Sequence, residues 1–130
     1  MIATTPLIYI VDDDRSVRKS LKRLMKSAGL KAETWASAED FLNSGYQDKP
    51  GVLILDVRMP GLSGPEVQSQ LAAAGSKIPI IFITAHEDEK IYNAAMELGA
   101  VAFLQKPFDD QTLLNAIHLA FEQLPKEQRG

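Results

Sequence analysis

The sequence predicts a doubly wound α/β domain built on a five-stranded parallel sheet and flanked by five helices. Short apolar runs alternate with helical patterns along the whole chain, and turn or capping residues separate the two kinds of segment. Most of the apolar runs contain no alternating polar residues, which is typical of parallel strands covered by helices on both faces. The regular order βαβαβαβαβα then favours right-handed crossovers within one open sheet.

Five segments are predicted strands. Four are continuous apolar runs, at Leu7–Val11, Val52–Leu55, Ile80–Ile83 and Val101–Leu104. The segment Lys31–Trp35 alternates instead, which suits a strand at an edge of the sheet. Every run is much shorter than the roughly 20 apolar residues that a membrane-spanning helix needs.

Five segments are predicted helices, and most of them carry a start or stop signal. The first helical pattern ends at Gly29, a residue that commonly follows a helix. Ser37 and Ser63 each begin a pattern typical of a capping box, and the second has a proline in its first turn. The fourth and fifth helices are predicted at about residues 88–98 and 109–123.

Length and composition exclude several classes of function. A chain of 130 residues corresponds to one domain with a substantial core. Its net charge of -3 argues against nucleic-acid binding by this domain, because backbone phosphates require a basic face. The sequence contains no cysteine, which excludes a thiolate metal site or a cysteine nucleophile. Met1–Pro6 does not resemble a signal peptide, so a cytoplasmic location is expected.

Four of the five predicted strands end in or near a reactive polar residue. Asp12 and Asp13 follow the first strand, Asp56 follows the third, Thr84 the fourth, and Lys106 lies just beyond the fifth. The carboxyl ends of parallel strands meet at the edge where open α/β sheets bind their ligands. Each residue alone is explained by a turn, a cap or a surface charge, but their common position favours a functional site.

Three carboxylates at one edge are expected to bind a divalent cation. They repel each other, and a hard cation bound through oxygen atoms relieves that repulsion. Mg²⁺ fits best, because it accepts a few carboxylates, a backbone carbonyl and several retained waters. No glycine-rich loop follows the first strand, so a flavin or dinucleotide site is not predicted.

Asp56 is the candidate nucleophile for a phosphoryl group. A bound cation would screen the repulsion between this carboxylate and an anionic donor. The charge of a transferring phosphoryl group spreads over three oxygens, which the cation, the Lys106 ammonium and the Thr84 hydroxyl can each contact. The expected product is an acyl phosphate that persists, because no strong general base is expected beside Asp56.

Other residues near these strand ends are predicted to have mainly structural roles. Asp14 suits the N-cap of the first helix. His86 is expected to be an exposed loop residue, with an influence on water access as the alternative, and His118 is expected to be solvated. Phe103 ends the fifth strand, where either packing or movement as the site fills explains it.

Four motifs resemble the receiver domains of two-component response regulators. The motifs are Ile10–Asp14, Leu55–Gly61, Ile83–Ala85 and Phe103–Phe108, which occur in the family's order. The similarity covers nearly the whole chain, and its details resemble the FixJ-type branch, whose members usually carry a DNA-binding helix-turn-helix domain after the receiver. A receiver domain is therefore expected at residues 6–124, with 125–130 as a tail or the start of a linker.

The resemblance implies a phosphorylation site and a set of metal ligands. Asp56 would accept the phosphoryl group from a sensor histidine kinase. Asp13, Asp56 and the backbone carbonyl of Arg58 would hold Mg²⁺, and Asp12 would act through a metal-bound water. The chain would then be a signalling domain that catalyses only its own phosphorylation and dephosphorylation.

The resemblance also implies a switch and a strand order. Lys106 would contact the phosphoryl group, Thr84 and Phe103 would form the switch pair, and the Lys106–Pro107 bond would be cis. Because Phe103 replaces the commoner tyrosine, it must signal by packing. The strand order would be 2-1-3-4-5, as in flavodoxin-like folds.

The resemblance further implies partners. A homodimer is expected through the fourth helix, the fifth strand and the fifth helix. Contact with DNA, and hence transcription control, would require an output domain that is absent from this sequence.

Two other functions remain open. The segment Asp12–Ser16 faintly resembles the DxDx motif of haloacid-dehalogenase-type phosphatases, which would make Asp12 the nucleophile. That hypothesis leaves Asp56 unexplained, and the chain is short for such an enzyme. The second alternative is an interaction module whose acidic edge docks a partner independently of phosphorylation.

Overall fold

The computed structural model describes residues 6–125, and it confirms the predicted fold class. The strands are β1 (Leu7–Val11), β2 (Ala32–Trp35), β3 (Gly51–Asp56), β4 (Ile80–Thr84) and β5 (Ala102–Gln105). The helices are α1 (Arg15–Ser27), α2 (Ala38–Leu42), α3 (Gly64–Ala73), α4 (Glu89–Glu97) and α5 (Asp110–Glu122), with a short 3-10 helix at Tyr46–Asp48. All strand pairs are parallel and the order is β2-β1-β3-β4-β5, as the resemblance implied. The expectations for residues 1–5 and for the tail at 126–130 lie outside the described residues.

Helices cover both faces of the sheet and create two apolar cores. Alternate residues of β1 illustrate the division, since Ile8 and Ile10 belong to the core under α1 and α5, whereas Tyr9 and Val11 belong to the core under α2, α3 and α4. All six residues of β3 are buried, so this strand runs through the middle of the domain. The continuous apolar runs of the sequence therefore mark strands that face helices on both sides.

The two outer strands are less buried than the central ones. All four residues of β2 are half-buried, which agrees with its predicted edge position. In β5 three residues are half-buried and Gln105 is exposed, because this strand forms the other edge of the sheet. The apolar run at 101–104 thus marked a second edge strand, although its sequence does not alternate.

The helix caps follow the predictions, with one correction. The carboxylate of Asp14 accepts the backbone N–H of Ser16 at 2.8 Å and so caps α1. Ser63 and Glu66 form the predicted reciprocal capping box at the start of α3. Ser37 accepts the backbone N–H of the residue three positions on, but a complete box was the wrong prediction there, because that residue is an aspartate, shorter than the Glu or Gln that closes a box.

Gly64 allows α3 to start close to the end of β3. A Cβ atom at this position would lie 2.7 Å from the carbonyl oxygen of Asp56 and 3.0 Å from the ring of Phe82. The Gly64 N–H also donates to the carbonyl of Val57 at 2.9 Å. This close approach fixes the loop that follows Asp56. Within residues 6–125, no helix has the length and apolar character that crossing a membrane requires.

Candidate functional site

The three predicted carboxylates lie together at the carboxyl edge of the sheet. Asp12 and Asp13 follow β1, and Asp56 is the last residue of the neighbouring strand β3. One carboxylate oxygen from each lies within 4.8 Å of the other two. Asp12 and Asp56 are buried, whereas Asp13 is exposed. The cluster therefore has two covered carboxylates and one that faces solvent.

The ammonium of Lys106 reaches this cluster from the loop after β5. Its Nζ lies 3.0 Å from Asp12 Oδ2 and 3.4 Å from Asp56 Oδ1. The Lys106 backbone N–H donates to the carbonyl of Thr84 at 2.7 Å, and the following peptide bond to Pro107 is cis, as predicted. Burial lowers the pKa of Lys106, but the hydrogen bonds and charges of Asp12 and Asp56 outweigh it and raise that pKa above its usual value. The lysine is therefore a fixed positive charge between two carboxylates.

Asp12 is held by several hydrogen bonds. Its Oδ1 accepts the backbone N–H of Asp14 at 2.9 Å, and its Oδ2 accepts the Lys106 ammonium. Its backbone carbonyl accepts the guanidinium of Arg18 at 2.8 Å. The side chain of Asp12 is completely buried. These contacts make Asp12 a fixed part of the site, and Arg18 is a supporting residue that was not predicted from the sequence.

Asp56 is an unfavourably placed negative charge. Burial of its carboxylate, followed by repulsion from Asp12, raises its pKa from 3.8 to about 6, although Lys106 partly opposes the shift and Asp13 adds to it. Its side chain nevertheless retains 8% exposure at the mouth of the site. A buried carboxylate with an open side and a nearby cation suits a nucleophile better than a structural charge.

Thr84 lies at the end of β4 beside this cluster, but its hydroxyl is engaged within its own loop. Thr84 Oγ1 donates to the carbonyl of His86 at 3.0 Å and accepts the His86 N–H at 3.2 Å. The His86 residue is exposed, as predicted. The end of β4 thus places Thr84 at the predicted carboxyl edge of the sheet. The hydrogen bond of its hydroxyl to the His86 carbonyl was not predicted from the sequence.

The sequence that carries this site matches a known protein family. Residues 8–118 match the model of the response regulator receiver domain. The chain belongs to this family. It is therefore a signalling domain rather than a classical enzyme, and the match favours the receiver over the phosphatase hypothesis that made Asp12 the nucleophile.

Curated relatives and solved structures agree with this assignment. Nodulation protein W of Bradyrhizobium diazoefficiens is 46% identical over 128 residues, which are 98% of this chain and 56% of that protein. The transcriptional regulatory protein FixJ of Azorhizobium caulinodans is 38% identical over 94% of this chain and 58% of its own length. The crystal structure of FixJ-N has a TM-score of 0.87 at 39% identity and covers 94% of this chain and 98% of that one. The receiver spans little more than half the length of these curated relatives.

Phe103, the predicted switch residue of the receiver, borders an open cleft. Its ring is half-buried and lies 5.8 Å from that of Phe82 and 5.5 Å from that of Tyr92, measured between ring centroids. Thr84 and Phe103 both line a cleft of about 430 Å³ between α4 and β5. Tyr92 was not among the predicted site residues, although it is an aromatic residue on the fourth helical pattern.

The side chain of Arg58 reaches Asp88, the N-cap residue of α4. Its guanidinium lies 3.8 Å from a carboxylate oxygen of Asp88, and the arginine side chain is 61% exposed. An ion pair of this exposure contributes little to stability. Only the backbone carbonyl of Arg58 was a predicted ligand, and that role remains a prediction.

Replacing Asp56 with asparagine is expected to stabilise the metal-free receiver. Because the Asp56 pKa is raised to about 6, ionisation at neutral pH opposes folding. The gain should be about 3 kcal/mol above pH 6, because one pKa unit corresponds to about 1.4 kcal/mol. It should shrink as the pH falls from 6 to 3.8 and vanish below 3.8, where the carboxyl becomes neutral in both the folded and the unfolded chain. Urea unfolding with a chelator, followed by Trp35 fluorescence, measures the difference. The exposed Asp48→Asn variant serves as the control, and an Asp56→Asn gain that grew at low pH would contradict the expectation.

Proposed function

We propose that this receiver accepts one phosphoryl group on Asp56 from a sensor histidine kinase and thereby switches its binding of partners. The observation that supports this function most directly is the Lys106 ammonium, 3.0 Å from Asp12 and 3.4 Å from Asp56, beside three clustered carboxylates. Such a site can bind a cation, offer a nucleophile and neutralise a phosphoryl oxygen.

The contacts favour Asp56 over its two acidic neighbours as the nucleophile. Asp12 is completely buried, and both of its carboxylate oxygens already accept hydrogen bonds. Asp13 is exposed, and the Lys106 ammonium donates its hydrogen bonds to Asp12 and Asp56 instead. Asp56 alone among the three combines an open side with direct contact to the lysine.

The donor set fits Mg²⁺. Three carboxylates offer oxygen atoms within 4.8 Å of one another, and hard divalent cations prefer such ligands. Asp13, Asp56 and the backbone carbonyl of Arg58 would hold the ion, with Asp12 acting through a water. When bound, Mg²⁺ supplies positive charge that screens the approach of an anionic donor.

The protein's own residues then have definite roles in the transfer. A carboxylate oxygen of Asp56 forms a bond to phosphorus, while the bond between phosphorus and the donor nitrogen breaks and the donor keeps that electron pair. Lys106 neutralises charge on a phosphoryl oxygen from its position in the loop after β5. Self-catalysed hydrolysis later returns the phosphoryl group to water.

Phosphorylation would next recruit the switch pair. The Thr84 hydroxyl would leave the carbonyl of His86 and donate to a phosphoryl oxygen, which frees space that Phe103 can enter from the neighbouring cleft. The Thr84→Ala and Phe103→Ala variants are expected to accept phosphate but to lose any phosphorylation-dependent change in association. Analytical ultracentrifugation with and without acetyl phosphate measures that change, and an unaltered response in both variants would contradict this coupling.

The partners follow from the same proposal. We place a homodimer surface on α4, β5 and α5, next to the switch pair. Relatives that are named transcriptional regulatory proteins are nearly twice as long as this chain, which supports transcription control through an output domain outside this sequence. DNA would bind only to that domain. A cytoplasmic location likewise stays a prediction.

Acetyl phosphate provides the test of this function. Intact-protein mass spectrometry should show one added phosphoryl group when Mg²⁺ is present and none when EDTA removes it. The metal dependence is expected because three carboxylates repel the donor unless a cation screens them. Failure to form any adduct while Mg²⁺ still stabilises the protein would instead favour the phosphorylation-independent interaction module.

A further inference from the structure

Asp13 is the exposed member of the carboxylate cluster, and its own side chain does not hold it in place. Among the residues that the structure describes, none donates a hydrogen bond to its carboxylate. One of its oxygens nevertheless lies within 4.8 Å of an oxygen of Asp12 and one of Asp56. The backbone on either side of Asp13 therefore sets the direction in which its side chain leaves the chain.

Two peptide planes flank Asp13, and each is held by a hydrogen bond to a side chain. The carbonyl of the first plane, which belongs to Asp12, accepts the Arg18 guanidinium at 2.8 Å. The N–H of the second plane, which belongs to Asp14, donates to Asp12 Oδ1 at 2.9 Å. Because peptide bonds are planar, the orientations of these two planes determine both backbone dihedral angles of Asp13. Arg18 thus supplies one of the two constraints on the direction of the Asp13 side chain.

Arg18 reaches that carbonyl because α1 begins immediately after the turn. Asp14 caps α1, and its carbonyl accepts the backbone N–H of Arg18 at 3.1 Å. Arg18 is half-buried, and within residues 6–125 no carboxylate lies at ion-pair distance from it. Its contact with the site is therefore a hydrogen bond from a permanently charged donor to the backbone, which is stronger than a bond between neutral groups.

We propose that Arg18 is a positioning residue for the divalent cation, which keeps Asp13 directed at the metal by holding the carbonyl of Asp12. The inference rests on the proposed function, because it takes Asp13 and Asp56 as Mg²⁺ ligands. It deepens that function by assigning part of the metal affinity to a residue outside the carboxylate cluster. Without the guanidinium, the peptide between Asp12 and Asp13 could rotate, and metal binding would have to order it.

The sign of the effect separates positioning from simple charge. A guanidinium near a cation site repels the cation, so removal of the charge alone would tighten Mg²⁺ binding. Removal of a group that orients a metal ligand weakens binding instead, typically by about 10- to 100-fold. Arg18→Met keeps much of the side-chain stem but removes both the charge and the donor. We expect its dissociation constant for Mg²⁺ to rise about tenfold.

The matched control is Arg15→Met, on the same helix. Arg15 is the exposed first residue of α1, so its replacement removes the same charge close to the site. This variant should bind Mg²⁺ as tightly as the wild type or slightly more tightly. Arg18→Lys keeps the charge and an N–H donor, and it should recover part of the affinity that Arg18→Met loses.

Metal binding by the unphosphorylated protein tests the proposal. Electron paramagnetic resonance of free Mn²⁺ gives the affinity for that ion, and competition with Mg²⁺ gives the affinity for the second. Thermal unfolding curves show that each variant is folded at the temperature of the titration. An Arg18→Met protein that binds both ions as tightly as the wild type, or more tightly, would overturn the inference. Wild-type protein that binds neither ion would contradict the cation site itself and this inference with it.

The Mg²⁺ dependence of phosphorylation by acetyl phosphate provides a second measurement. In Arg18→Met, the Mg²⁺ concentration that gives half of the maximal rate should rise about tenfold. The rate at saturating Mg²⁺ should stay near that of the wild type, because bound metal restores the turn and Arg18 does not contact Asp56. A rate that falls equally at every Mg²⁺ concentration would contradict a positioning role.

Discussion

The Asp56→Asn variant is expected to take up no phosphoryl group from acetyl phosphate, even with saturating Mg²⁺. Asparagine keeps the size of the side chain but its amide is a poor nucleophile, and it removes one of the three clustered carboxylates. The neighbouring acids cannot substitute for Asp56. Asp12 is buried and both of its carboxylate oxygens already accept hydrogen bonds. Asp13 is exposed, and the Lys106 ammonium contacts Asp12 and Asp56 instead. Intact-protein mass spectrometry over a time course measures the loss.

The matched control for this loss is Asp48→Asn. Asp48 is an exposed aspartate of the 3-10 helix that follows α2, so its replacement removes the same charge without touching the site. That variant should be phosphorylated like the wild type. An adduct that persists in Asp56→Asn and disappears in Asp12→Asn would support the phosphatase-like chemistry instead.

Lys106→Met is expected to slow phosphorylation by a factor of about 10² to 10³, the usual cost of losing one preorganised group that stabilises transition-state charge. Methionine has a stem of similar length but no charge. Without the ammonium, a phosphoryl oxygen loses its neutralising contact, and Asp12 and Asp56 repel each other without a cation between them. The initial rate with acetyl phosphate, at saturating Mg²⁺, measures this effect.

Lys22→Met is the corresponding control, because Lys22 is an exposed lysine on α1. It should react at nearly the wild-type rate. A Lys106→Met protein that binds Mg²⁺ and reacts as fast as Lys22→Met would show that the lysine only balances the buried carboxylates.

The pattern of apolar residues was enough to predict the strands, since it depends on burial alone. Each residue of β3 is covered on both faces, so no polar position interrupts its run. β5 shows the limit of this signal. Its run at 101–104 resembles a central strand, yet β5 lies at an edge and is covered only in part. Strand order depends on contacts between distant segments, and the family resemblance was needed to predict it.

The position of the site was also predictable, but its hydrogen bonds were not. Strand ends bring Asp12, Asp56 and Lys106 to one edge whatever their rotamers are. The bond from Thr84 to the His86 carbonyl and the bond from Arg18 to the Asp12 carbonyl depend on side-chain rotamers and loop geometry. Sequence spacing does not specify rotamers or loop geometry, so the hydrogen bond of the Thr84 hydroxyl to the His86 carbonyl became visible only in the structure.

The most direct test of Asp56 as the acceptor is to map the acyl phosphate. Borohydride reduces a phosphorylated aspartate to homoserine, and peptide mass spectrometry then locates the changed residue. After treatment with acetyl phosphate and Mg²⁺, homoserine is predicted at position 56 and at no other aspartate. Homoserine at position 12 or 13, or a phosphoryl adduct that resists reduction, would contradict the proposal that Asp56 carries the signal.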